Sequence, residues 1–125
     1  MELETPFFHL RIKDKILVGT YKKNIRINLE IARAIVSTRI SFTGGENFPA
    51  IIISTGVISI DKPAREYLAS DEGTRGLLAS AIIVNSAFSS FLGNFFLTVN
   101  KPKKMPVKLF TNIAAAEKWL QQFID

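Results

Sequence analysis

A chain of 125 residues is enough for one domain, and its 47% apolar and 22% charged residues are the balance of a globular protein, not of a disordered chain, a collagen or a coiled coil. It contains no Cys, which rules out a disulfide framework, a thiol nucleophile, a thiolate zinc site and an iron–sulfur cluster. Sixteen Lys and Arg against eleven Asp and Glu leave a net charge of +5, which points to a polyanion partner only where the basic residues cluster.

The segment from Met1 to Pro6 is acidic and has no apolar run, so a signal peptide is not expected and a cytoplasmic location is. Phe7 to Ile12 alternates weakly, Lys13-Asp14 follows, and Ile16 to Tyr21 is again apolar, which predicts a β-hairpin turning around Lys13–Lys15. Asn28 is placed to cap a helix with Ile31, Ala32, Ile35, Val36, Ile40 and Phe42 on one side. Arg33, Ser37 and Ser41 fall on the other side, and Gly44-Gly45 ends the helix. Pro49 to Ser54 is a short β-branched run without alternation, the pattern of a strand covered on both faces in a parallel sheet. Ala81 to Val84 is a second run of this kind, 30 residues on. Between them Asp61 and Pro63 open a short helix through Leu68, and Ser70-Asp71-Glu72 can cap one more turn. That spacing suits a crossover helix joining parallel strands.

From Gly76 to Asn100 there are 25 residues without a charge, which raises the question of a membrane span. Ser80, Asn85, Ser86, Ser89, Ser90, Asn94 and Asn100 would then face hydrocarbon, and the pattern changes midway, so the run is read as a buried strand followed by a buried helix. Ser86 caps that helix, which bears Phe88, Phe91, Leu92, Phe95, Phe96 and Val99. Pro106 to Phe110 reads as the last strand, and Thr111-Asn112 caps a final helix carrying Ile113, Ala116, Leu120, Phe123 and Ile124. The order β-β-α-β-α-β-α-β-α predicts one α/β domain over residues 1–125: an N-terminal hairpin, then alternating helices and strands in a mixed, mostly parallel sheet flanked by four main helices.

Two stretches within this order are more telling. Gly56-Val57-Ile58-Ser59-Ile60-Asp61 leads into the second helix, and Asn94-Phe95-Phe96, Pro106-Val107-Lys108-Leu109-Phe110 and Ala116-Glu117-Lys118-Trp119-Leu120 make up the C-terminal half. In these stretches and in element order over nearly the whole chain, the protein resembles the STAS fold of anti-sigma-factor antagonists, and most closely the bacterial SpoIIAA-like (STAS/Sec14-like) proteins. The resemblance implies a non-enzymatic regulatory or protein-interaction domain. In phospho-switched members a Ser or Thr follows the Asp that starts the second helix, where free N–H groups accommodate a phosphate. Here Asp61 is followed by Lys62 and Pro63, so the usual kinase-controlled switch is absent or has moved to Ser59 or Ser54.

The residues offer a few site candidates, each with a plainer alternative. Asp61, Lys62, Arg65 and Arg75 are a candidate anion or partner site at the mouth of the second helix; as plain structure, Asp61 is its N-cap and the cations are solvated or paired with Glu66 or Glu72. His9 is the single histidine and has no companion ligands, so it is read as a strand surface residue and no metal or cofactor is expected. Lys22, Lys23 and Arg26 form one basic group and Lys101, Lys103, Lys104 and Lys108 another, but no aromatic residues interleave with them, which argues against nucleic acid. Gly44-Gly45 and Gly73-Thr74-Arg75-Gly76 lack the pattern of a phosphate-cradling loop. Phe88, Phe91, Leu92, Phe95 and Phe96 span a broad arc of one helix and form a candidate interaction face. What covers it is ranked as a second copy of the chain in a homodimer, then the protein's own core, then an apolar ligand in a Sec14-like groove; a separate protein partner also fits. The expected function is therefore a self-associating, non-enzymatic regulatory domain, with binding of an apolar or anionic metabolite as the alternative.

Overall fold

The structure, a computed structural model, describes residues 1–84 and 104–124. Strands β1 (Glu2–Glu4), β2 (Phe8–Lys13) and β3 (Ile16–Tyr21) form an antiparallel meander at the start of the chain. Asp14 and Lys15 make the turn between β2 and β3 with φ of 52° and 66°. Two successive left-handed residues match the twist of the strands they join, so the hairpin turns where its charged pair predicts. After β4 (Ile25–Ile27), helix α1 (Leu29–Thr43) begins at Asn28, whose Oδ1 accepts the Ile31 N–H at 2.9 Å. It ends at Gly44, which takes the left-handed conformation at φ 66°.

The second half alternates. Strand β5 (Phe48–Ile53) is followed by β6 (Val57–Ile60), α2 (Lys62–Ala69), β7 (Leu77–Ile83), β8 (Val107–Phe110) and α3 (Ile113–Leu120), with a 3-10 turn at Gln121–Phe123. The main sheet has the order β1-β2-β3-β5-β7-β8, parallel from β3 onward, while β4 and β6 pair parallel in a separate two-stranded ribbon. Ile51, Ile52 and Ile53 lie beside Ala81, Ile82 and Ile83 in parallel register. The two apolar runs identified in the sequence are therefore neighbours at the centre of the sheet.

Because side chains alternate along each strand, the sheet divides the core in two. One face carries Phe8, Leu10, Leu17, Ala50 and Ile52 and packs on Ala32 and Ile35 of α1, Ala64 of α2, and Ile25, Ile27 and Val57 of the ribbon. The other carries Ile16, Val18, Ile51, Ala79, Ala81 and Ile83 beneath Ala116 and Leu120 of α3. Trp119 closes the rim of this second layer, with ring centroids 5.7 Å from Phe110 and 5.2 Å from Phe123.

The architecture departs from the sequence expectation in three respects. The described residues contain three α-helices where four main helices were expected; the helix expected from Ser86, with Phe88, Phe91, Leu92, Phe95 and Phe96, lies outside the described residues. Strands β1, β4 and β6 were not anticipated, because three or four residues are too few for an alternation to register. Strand β7 starts at Leu77, four residues before the apolar run at Ala81, since Ala79 and Ser80 have little intrinsic strand preference yet are wholly covered by neighbours. No helix among the described residues is long and apolar enough to cross a membrane.

Candidate functional site

Helix α1 buries Ala32, Ile35, Val36, Arg39 and Thr43. That is a continuous stripe of three- and four-residue steps, so helical geometry turns Arg39 inward along with its apolar neighbours. Arg39 is only 7% exposed. Its Nη2 donates to the backbone oxygens of Gly73 at 3.1 Å and Arg75 at 2.8 Å, in the turn after α2. That turn approaches α2 closely at Gly73, where a Cβ would meet the Tyr67 carbonyl and come within 2.8 Å of Leu68 Cα. No carboxylate pairs with Arg39 among the described residues; the ionisable groups that influence it are the phenols of Tyr21 and Tyr67. Desolvation by burial holds its pKa below the usual guanidinium value.

Arg39 and Gly73 both line a cavity of about 120 Å³ between α1, α2 and one face of the sheet. Ile52, Ile82 and Val107 line it from three adjacent parallel strands, together with Val57, Ile60, Leu68, Leu77 and Tyr21. Tyr21 is placed there by its register opposite Phe8, with which it makes a ring contact at 6.3 Å between centroids. Tyr21 is half-buried, and burial at its hydroxyl end pushes the phenol above its ordinary pKa. The remaining polar lining residues are Ser54 and Ser80. The Ser54 hydroxyl donates to the Ile83 carbonyl at 3.0 Å, and that of Ser80 reaches Met105 Sδ at 3.5 Å. Among the described residues the site is a partly open, mostly apolar cleft that carries one largely buried cation, Arg39, and one phenol, Tyr21.

The residues singled out from the sequence are placed elsewhere. Asp61 caps α2, its Oδ1 accepting the Ala64 N–H at 3.0 Å. Lys62 lies 3.9 Å from Glu66, and Arg65 Nη1 donates to the Ile60 carbonyl at 2.7 Å. Arg75 sits in the turn beyond the other end of this eight-residue helix, a rise of about 12 Å away. The structure thus gathers Asp61, Lys62 and Arg65 at one helix end and leaves Arg75 apart. His9 Nε2 is 3.3 Å from Glu2 Oε1 on the outer strands, and among the described residues no three of His, Cys, Asp and Glu gather as metal ligands would. In the first basic group Lys22 pairs with Glu4, whose pKa is lowered chiefly by that hydrogen bond. In the second, Lys104 lies 4.0 Å from Asp71 and Lys108 sits over the Phe110 ring at 5.5 Å, while Lys101 and Lys103 lie outside the described residues. The candidate face from Phe88 to Phe96 also lies outside them.

The sequence reading passed over Arg39. The signal was present: Arg39 stands four residues after Ile35 and three after Val36, on the apolar side of α1.

No curated protein matches the chain. Among solved structures it is similar to the crystal structure of an uncharacterized protein of the DUF3478 family, with a SpoIIAA-like fold, from Shewanella loihica PV-4. The two align with a TM-score of 0.62 and 13% sequence identity, covering 90% of this chain and 91% of the other. At that identity the likeness is one of fold, and the chain has a SpoIIAA-like fold. Residues 10–124, nearly the whole length, match a family described as a domain of unknown function, and the chain belongs to that family, DUF7793.

Proposed function

We propose that this domain is a non-enzymatic binding module that seats a small, mostly apolar molecule in the cavity between α1, α2 and the sheet. The observation that carries this reading is a partly open cleft of about 120 Å³ on one face of the sheet, lined among the described residues mostly by aliphatic side chains. Lining atoms without neighbours forgo dispersion contacts, which an occupant of matching size supplies. An enclosed apolar cavity of about 150 Å³ takes up benzene, which sets the scale of an occupant here. Binding without chemistry fits the lining: among the described residues it holds no carboxylate or histidine to move a proton, and its serines Ser54 and Ser80 direct their hydroxyls at protein acceptors.

Methyl-resolved NMR during titration with toluene tests the reading. Saturable shifts are expected at Ile52, Ile82 and Val107, with Ile53 on the opposite face unmoved. Absence of shifts with toluene and with every other benzene-sized probe would remove the cavity as a binding site.

A further inference from the structure

The polar groups of the cavity are not a random sample. Ser54 and Ser80 direct their hydroxyls to Ile83 and Met105, so neither hydroxyl proton is left for a ligand in this arrangement. Arg39 differs. A guanidinium has five N–H donors, and the two acceptors of Arg39, Gly73 and Arg75, are both served by Nη2. Nε and Nη1 have no partner among the described residues, and no fully enclosed side-chain nitrogen or oxygen there lacks one. These N–H groups therefore open onto accessible space. The Tyr21 hydroxyl likewise has no hydrogen-bond partner among the described residues, and Tyr21 lines the same cleft. Among the described residues the cleft thus presents N–H and O–H donors beside one largely buried positive charge, with no carboxylate paired to it.

We infer that the natural occupant is a small monocarboxylic acid, aromatic or short and branched, whose carboxylate is taken by Arg39 with the Tyr21 hydroxyl as second donor. This rests on the cavity being a binding site and adds the class of ligand. Guanidinium and carboxylate match as a planar, two-bond pair. One cation calls for one negative charge, and a phosphate dianion would bring more charge and more hydration than the aliphatic walls accommodate. The volume limits the apolar part to about the size of a benzene ring. Met105, unbranched and adaptable, forms the part of the wall that can adjust to chain or ring.

Calorimetric titration of the full chain near neutral pH with benzoate, isovalerate and toluene tests the assignment. Benzoate is expected to bind about tenfold or more tightly than toluene, the worth of a hydrogen-bonded charge pair. In Arg39→Met that preference disappears while toluene affinity stays; in Tyr21→Phe the acid loses a few-fold. Arg39→Met leaves the Gly73 and Arg75 carbonyls unpaired, so Arg39→Lys, which keeps the charge but not the fork, is the second variant and should weaken benzoate selectively. Toluene binding as well as either acid to the wild-type chain would overturn the carboxylate assignment while leaving the cavity reading intact. Failure of all three probes would overturn both.

Discussion

Tyr21 shows how one side chain couples the site to stability. Its phenol is held above the ordinary value of 10.0, first by desolvation, with the positive charge of Arg39 acting in the opposite sense. A raised folded-state pKa means that the native protein keeps a proton the unfolded chain gives up. Below about pH 10 both states are protonated and the contribution is fully present; as pH climbs past the unfolded value it is progressively lost, until the folded-state pKa is passed. The urea midpoint is therefore expected to fall as pH rises above about 10, and to fall less in Tyr21→Phe. Arg39, with its pKa lowered chiefly by burial, acts in the reverse direction over its own range. An equal drop in the two would place the titration elsewhere.

At the scale of elements, the three helices begin alike. Asn28, Asp61 and Asn112 each accept the backbone N–H three residues on, at 2.9, 3.0 and 2.8 Å. These starts were legible because capping is local chemistry confined to four residues. Helix α2 is eight residues long, so the unpaired N–H groups of its first turn are a large share of its backbone donors, and Asp61 satisfies one of them. Asp61→Ala is expected to cost about 1 kcal/mol in chemical denaturation, and Asp61→Asn much less, since both side chains accept the same bond. A large loss with Asn would indicate that the negative charge matters beyond the cap. The ribbon of β4 and β6 was not legible. Ile25 pairs with Val57 across more than thirty residues, and neither strand is long enough to declare itself.

For the molecule as a whole, the parallel pair β5 and β7 holds the two core layers together. Ile51 is 1% exposed, lies between Val18 and Ala81 in register, and faces the layer beneath α3. Truncation there removes contacts from the sheet and the helix layer at once. Ile51→Ala is expected to cost about 2–5 kcal/mol and Ile51→Val about 0.5–1.5 kcal/mol. The denaturation midpoint should move with the slope unchanged, since the same surface is exposed on unfolding. A changed slope would mean that the layers unfold separately.

The amino-acid sequence by itself determined the hairpin, the helix starts and the neighbouring parallel strands. Each of these is written in a short-range code of turn residues, capping oxygens and apolar runs. The cavity is different in kind. Tyr21, Arg39, Ile52, Ser80 and Met105 are scattered along the chain, and they meet only after the crossovers have stacked α1 and α2 on the sheet. An unfilled volume is what remains between packed layers, a property of their mutual fit and of no single segment. For the same reason Arg39 counts as one more surface cation in the sequence and as a buried charge only in the tertiary structure, where helix α1 carries it inside.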